Sequence, residues 1–542
     1  MDMNCSSIFQ GENKMEMRNL YDTLKNTAEK YPGKTGIADE EESITYAELL
    51  KRTDNLAAYF TDKIGLKKGM RAGIAMLNSV QYVVCVYAAA KIGIALVLVN
   101  VKLHAKEIAY ILEDTQTEYI ILQSKIWEKI SHEVNHTRVK NLILEANVVC
   151  EHMENYKIYN LAEGIQYQGK AKTHPVEEKQ DVPEPEDTMA VLYTSGTSGV
   201  PKGVELCHRA ILETVISYKK LLRLDAEQST LLAVPLFHVT GFSCIMALFI
   251  YIGGFMRILP SFHSRRAAAI LSEEHIKHFH AVPTIYQMLV NVIDREYDLS
   301  GLESAVCGGG YIEDRLMEQF QAIAPNVRFH PAYGMTETAG GGVLFPENYL
   351  ESSKRGSAGK VMENCEITIF DERNRELPVG EIGQIAFRGP MIIRQYLHGT
   401  KEESFIGDWL LSGDVGKLDT DGYIYVLGRL KSMINRGGEK IYSRFVEREI
   451  CAFSKVNQCM VFPVEDSLYG EVPGCVIVPE KNVSITEQEV RAFLKERIQK
   501  TEIPQYIEFW DTLPNTASGK VKVAYLTSLF SEKYSVKEEK EK

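Results

Sequence analysis

Between Arg71 and Gln123 short apolar runs alternate with longer amphipathic ones: RAGIAML, SVQYVVCVYAAAKIG, ALVLVN, HAKEIAYILEDT and EYIILQ. Strands separated by segments of helical length cannot pair as hairpins, so the crossovers impose parallel pairing with helices over the sheet. The pattern predicts an α/β fold whose large N-terminal domain holds parallel-rich sheets packed with helices. Thr45 and Glu48 in TYAELL have the spacing of a capping box, which predicts a helix start there.

At 542 residues the chain exceeds the usual reach of one hydrophobic core. The polar, proline-rich stretch from Gln168 to Asp187 reads as a surface loop leading into the strand MAVLYTS. A domain border fits near Gly428 to Lys431, where the apolar strand YIYVLG gives way to a basic, glycine-containing stretch. Residues 1–430 then form the N-terminal domain and 431–542 a small α+β domain, with SEKYSVKEEKEK as a solvated tail.

Acidic residues outnumber basic ones, 73 to 61, which argues against a nucleic-acid partner. The ten cysteines form neither a CxxC pair nor a disulfide framework, which suits a reducing cytoplasm. From Leu231 to Met256 no charged residue occurs, a length that could cross a bilayer. Pro235, His238, Thr240 and Gly241 interrupt it, so it divides into a buried strand (Leu231 to Val234), a polar turn and a core helix after Phe242, with no membrane span.

An acidic chain that handles phosphates must concentrate donors locally. LYTSGTSGVPKGV, Leu192 to Val204, places hydroxyl residues and glycines between a strand and Lys202. Glycine lets backbone N–H groups approach an anion, hydroxyls donate further bonds, and the lysine adds charge. The spacing is not that of a Walker loop; the one near-match, Gly164 to Lys170, has Ala171 where Ser or Thr should stand and reads as chance. PAYGMTETAGGG, Pro331 to Gly342, joins an aromatic ring, hydroxyls and a carboxylate, and SGDVG, Ser412 to Gly416, adds an aspartate. Stacking, metal ligation and ribose binding are what a nucleotide site needs.

YTSGTSGVPKG, YGMTET, LSGDVG, GYIYVLGRLKSMINRGGEKI and LPNTASGK, in this order, resemble the adenylate-forming superfamily of acyl-CoA synthetases, peptide-synthetase adenylation domains and luciferase. The resemblance spans nearly the whole chain and is nearest to acyl-CoA ligases. It implies a β-barrel-like subdomain in the N-terminal domain and a mobile C-terminal domain. The implied activity is an ATP-dependent, acid–thiol ligation through acyl-AMP, with Mg²⁺ and CoA and a fatty or other hydrophobic carboxylic acid. Loading of a separate carrier protein is the alternative, and a homodimer is compatible with it.

By position, the resemblance implies that Thr194, Ser195, Gly196, Thr197, Ser198, Gly199 and Lys202 wrap the triphosphate. Tyr333, with Gly334 and Met335, lies against adenine; Asp414 takes the ribose hydroxyls with Arg429, and Tyr425 belongs to the same nucleotide set. Thr336 and Glu337 hold Mg²⁺, and Gly308, Gly309 and Gly310 lie between adenine and the acyl pocket. Lys520 is the catalytic lysine, His238 the gate to the thiol tunnel, Lys431 the hinge, and Gly437 and Gly438 line the tunnel. Ser443 replaces a proline common at the end of the hinge motif, which implies a looser turn. Gly340 to Gly342 are expected to leave room along the acyl tunnel.

Overall fold

The computed structural model describes residues 17–146, 152–169, 182–194, 201–294, 296–399, 401, 404–514 and 521–538. The alternation that opens the chain folds as expected. Arg71–Ala75, Ala95–Leu98 and Tyr119–Leu122 are parallel strands, and Val80–Ile92 and Ala105–Asp114 are the helices between them. They belong to a seven-stranded sheet that is parallel except for its last pair, Thr188–Thr194 with Lys202–Cys207. Val80–Ile92 is buried on nearly all sides, so its apolar residues form no stripe.

The second, 14-stranded sheet is parallel from Thr35–Ala38 through Phe255–Ile258, Ser229–Leu232, His278–Ala281, Ser304–Cys307 and Arg328–Gly334. It continues antiparallel from Gly342–Leu344 to the edge strand Glu366–Phe370. The barrel-like subdomain is therefore not a closed barrel: its strand order is a line, because one side continues into the parallel half and cannot meet the far edge.

Apolar cores segregate along the chain. One cluster runs from Leu20 to Ile424, and two smaller ones lie between Ile434 and Phe530 in the small C-terminal domain. That domain has the strands Val456–Asp466 and Gly470–Pro479 at its centre, covered by Ser443–Cys451, Glu487–Lys495 and Val523–Glu538.

Several local expectations change. Thr45 caps Tyr46–Tyr59 by accepting from the Glu48 N–H at 3.2 Å, but the Glu48 carboxylate turns to Arg52 at 2.9 Å, so the box is half formed. The Leu231 to Met256 stretch gives a strand, Ser229–Leu232, then a wide π-helical segment, Thr240–Ala247, running into Leu248–Ile252; no helix among the described residues is long and apolar enough to cross a membrane. The expected tail is helical to Glu538, because Tyr534 stacks on Tyr506 at 4.0 Å and Ser531 is buried. Gly164 lies inside the helix Leu161–Gln166, where no phosphate loop can form. Most of the Gln168 to Asp187 loop lies outside the described residues.

Candidate functional site

In a parallel sheet the loops that follow the strands gather at one edge, and ligands bind there. Here Ser304–Cys307 and Arg328–Gly334 are neighbours in register, and their ends deliver Gly308–Gly310 and Tyr333 side by side. Ser229–Leu232 leads to Pro235 and His238 at the same edge. The His238 N–H donates to the Pro235 carbonyl at 3.1 Å, and its ring lies 4.9 Å from that of Phe237, just ahead of the π-helical segment.

Tyr333 donates its hydroxyl to Asp414 Oδ2 at 2.8 Å, and Arg429 Nε approaches Asp414 Oδ1 at 2.8 Å. Asp414 and Arg429 face each other across Trp409–Leu418 and Tyr423–Arg429, so sheet register sets the pair. The Asp414 N–H donates to Ser412 Oγ, whose own hydroxyl donates to the Ile385 carbonyl. Burial, then the Asp414 charge, pushes the Tyr333 phenol well above its ordinary value, so it stays a proton donor. Tyr425 sits on the same strand as Arg429, opposite Lys417; burial, then Asp419, raises its phenol.

Beyond Gly334 the strand ends in a single 3₁₀ turn, Thr336–Thr338, closed by Thr338 Oγ1 accepting from the Met335 N–H at 3.0 Å. The Glu337 carboxylate is buried and accepts from the Tyr396 hydroxyl at 2.8 Å. Lys202 Nζ lies 5.3 Å from the centre of the Tyr396 ring. Backbone contacts fix this arrangement: Val204 bridges Tyr396, the Leu397 N–H donates to Gly203 O at 2.8 Å, and the Ile393 N–H to Glu337 O at 2.9 Å. Burial, then Glu337, raises the Tyr396 phenol. Sequence reading missed Tyr396. It lies far along the chain from both partners, and an isolated Gln-Tyr-Leu triplet has no spacing signal.

Thr194 and Lys202 are cross-strand partners, so the hydroxyl-rich loop joins two antiparallel strands and does not precede a helix. Ser195, Gly196, Thr197, Ser198 and Gly199 lie outside the described residues, as does Lys520. Lys431 lies in the exposed turn Leu430–Ser432 between the two domains' strands. Ser443 is buried at the first turn of Ser443–Cys451.

The glycines divide by cause. Gly437 and Gly438 form the two-residue loop between Ile434–Arg436 and Glu439–Ile441, with φ of +59° and +97°, the conformation that a tight hairpin requires and that glycine adopts without strain. They are exposed. Gly340 to Gly342 do not leave the expected space. A Cβ on Gly340 would lie 2.6 Å from Cys244 Sγ, one on Gly341 3.0 Å from Met391 Sδ, and one on Gly342 3.0 Å from the Phe387 ring. Side chains already fill that volume. Gly308 and Gly310 are less crowded: an added Cβ would make ordinary contacts, 3.5 Å from Ala332 and 3.4 Å from Pro283.

A Cβ on Gly334 would collide with the Gly341 carbonyl oxygen, a backbone atom that cannot swing away. Gly334→Ala is expected to cost about 3 kcal/mol, the upper end for overpacking. The check is the urea midpoint, which falls with unchanged slope.

The match to the family described as AMP-binding enzyme spans residues 24–397, and that to the AMP-binding enzyme C-terminal domain spans 446–520. A 2-succinylbenzoate–CoA ligase of Bacillus licheniformis is 29% identical over 92% of this chain and 97% of its own length. A long-chain-fatty-acid–CoA ligase of Bacillus subtilis is 28% identical over 93% of each chain. The o-succinylbenzoate CoA synthetase of Bacillus subtilis, solved with its acyl-adenylate intermediate, superposes with a TM-score of 0.78 at 26% identity, covering 95% of this chain and 98% of that one. The same synthetase has been solved with ATP and a magnesium ion. A family match over most of the length, together with a Tyr333–Asp414–Arg429 cluster and a Glu337 carboxylate at one sheet edge, places this chain in the AMP-binding enzyme family.

Proposed function

We propose that the chain is an ATP-dependent carboxylate–CoA ligase that forms acyl-AMP with loss of pyrophosphate and then passes the acyl group to the CoA thiol with loss of AMP. The observation that carries this reading is that the single stretch Tyr333 to Glu337 touches two polar groups at once. At one end Tyr333 meets Asp414 and Arg429; at the other Glu337 meets Tyr396, with Lys202 above its ring. A nucleotide whose ribose lay at Asp414 would have its phosphates directed towards Lys202 and Glu337.

The roles follow from donor chemistry. Asp414, an acceptor, suits a ribose diol, and Arg429 holds its carboxylate in place. Lys202 and the hydroxyl-rich loop from Thr194 neutralise and orient the phosphates. Glu337 and the Thr336 hydroxyl are hard oxygen donors that would hold Mg²⁺, which would offset the negative charge of the phosphate oxygens. Lys520 steadies the approach of the acid's carboxylate to the α-phosphate. His238 gates the thiol route, and the domain from Lys431 onwards turns between the two half-reactions. The border at 430/431 agrees with the segregated cores. Among the described residues eight cysteines are free thiols, which supports a reducing cytoplasm.

ATP–pyrophosphate exchange over fatty, aryl and amino acids, followed by transfer to CoA or to a carrier protein, tests the reading. Exchange with no acid sinks it; transfer to a carrier but not to CoA selects the alternative acceptor.

Two variants probe individual parts. Tyr396→Phe removes the hydroxyl that orients Glu337 and keeps the ring beneath Lys202. The Mg²⁺ concentration for half-maximal exchange should rise roughly tenfold, as for loss of a group that supports a metal ligand, while KM for the acid stays put. Equal shifts in both would mean a general structural role. Lys431→Pro fixes φ at the turn, and thioester output should fall roughly 100-fold as domain rotation stalls. Undiminished output would refute the hinge assignment.

A further inference from the structure

Tyr396 and Leu397, which tie Glu337 to the strand carrying Lys202, are followed by His398. Its backbone is left-handed, with φ of +60°, a conformation that costs energy in any residue with a Cβ and persists where surrounding contacts impose it. Here the contact is with Asp114, the last residue of the helix Ala105–Asp114. His398 Nε2 donates to the Asp114 carbonyl oxygen at 2.9 Å and lies 3.8 Å from Asp114 Oδ1.

Asp114 itself goes against local rules. A carboxylate in the last turn of a helix faces the negative end of the helix dipole, and no basic residue stands in that turn to offset it. Its charge is met by Tyr193, whose hydroxyl donates to Asp114 Oδ2. Burial, then this hydrogen bond, pushes the Tyr193 phenol well above its ordinary value, so it stays a donor. Tyr193 stands 79 residues along the chain from Asp114 and His398 stands 284, so neither contact follows from local sequence.

Both partners lead to the phosphate end of the site. Tyr193 precedes Thr194 at the root of the hydroxyl-rich loop and is the cross-strand partner of Gly203, whose carbonyl accepts from Leu397. His398 is two residues beyond Tyr396, which holds the Glu337 carboxylate beside Lys202. Asp114 thus clasps the strand that enters the loop to the segment that orients Glu337.

We propose, resting on the ligase reading above, that Asp114 and His398 are positioning residues for the triphosphate: they pin the Tyr396 segment to the strand entering the phosphate loop and so set Lys202 against Glu337. Both act through other side chains. Without the His398 bond the left-handed turn loses its support, and Tyr396 moves from Glu337 and Lys202. The adenosine end is built separately, by Tyr333, Asp414 and Arg429, and keeps its geometry.

The test is equilibrium binding, by titration calorimetry, of two probes. One is α,β-methylene-ATP with Mg²⁺, which cannot release pyrophosphate; the other is AMP, which lacks the outer phosphates. His398→Gly suits the left-handed backbone and removes the ring, so the urea midpoint should hold. Kd for the methylene analogue should rise roughly tenfold, as for loss of a group that supports a ligating side chain from behind, while Kd for AMP should not move. His398→Gln keeps an N–H donor and should recover much of the loss, and Asp114→Ala, which releases Tyr193, should repeat the pattern of His398→Gly. In ATP–pyrophosphate exchange, KM for ATP should follow the analogue and KM for the acid should stay put. An unchanged analogue Kd in His398→Gly overturns the proposal. So does a parallel rise for AMP, which would make the role structural, or a glutamine variant no better than the glycine one. A wild type that binds both probes but exchanges pyrophosphate with no acid would instead remove the ligase reading, and the two Kd values would still decide the positioning.

Discussion

Replacing Lys520 by alanine is expected to slow ATP–pyrophosphate exchange by about 10³-fold, the loss typical of one preorganised electrostatic group. Thioester formation from supplied acyl-AMP should change by less than about tenfold on the same scale. The reason lies in the two half-reactions. During adenylation a carboxylate approaches an α-phosphate, two anions whose repulsion rises as water is expelled from between them. An ammonium bridging both oxygens offsets that repulsion, and most strongly where negative charge builds. The thioester step begins from a mixed anhydride whose acid oxygen is already bonded, so the lysine has no such repulsion to offset. Rapid-quench measurement of each half-reaction separates them. Equal loss of both steps would mean that Lys520 does something other than assist adenylation.

Asp414→Ala should raise KM for ATP by roughly 100-fold, the equivalent of one lost charge-assisted hydrogen bond of about 1.5–3 kcal/mol. The side chain is buried and serves the protein as well as the proposed ribose site: it holds the Tyr333 hydroxyl and the Arg429 guanidinium. Removal therefore also leaves the Tyr333 hydroxyl without its acceptor. Arg429 is half exposed, so its loss of a partner is screened by water and adds little to the instability. Asp414→Asn keeps an acceptor oxygen without the charge, and KM should fall between the two. The acid's own KM should be unmoved in both variants, since the carboxylate is assigned to the ribose and not to the acid. If Asp414→Ala instead raises KM for the acid and for ATP alike, the carboxylate organises the whole site and the ribose assignment is wrong.

Sequence motifs named most of these residues because a nucleotide needs donors, acceptors and glycine-lined approaches within short stretches, and such stretches are visible as strings. The alternation from Arg71 to Gln123 was legible for the same reason: each strand and helix declares its own period, and parallel pairing follows from the length of the crossovers. Other features were not local. The Asp414–Arg429 pair depends on the register of two strands, and Tyr396 meets Glu337 only because a loop is tied to the strand that carries Lys202.

Glycine shows where reading by type fails. Gly340 to Gly342 suggested open space, yet Cys244, Met391 and Phe387 occupy it. A missing side chain permits either a ligand or a neighbour to approach, and only the packing decides which. The tail from Ser531 looked solvated by charge, but Tyr534 stacks on Tyr506 and, with Lys533, bonds Glu508, contacts that hold it in a helix. The sequence alone thus determined the α/β class, the order of the nucleotide-binding stretches and the identity of the charged groups, since each is written in contiguous residues. Tertiary structure decided the open line of the second sheet and the partners of Glu337 and Asp414, since each arises where segments distant in the chain compete for the same space.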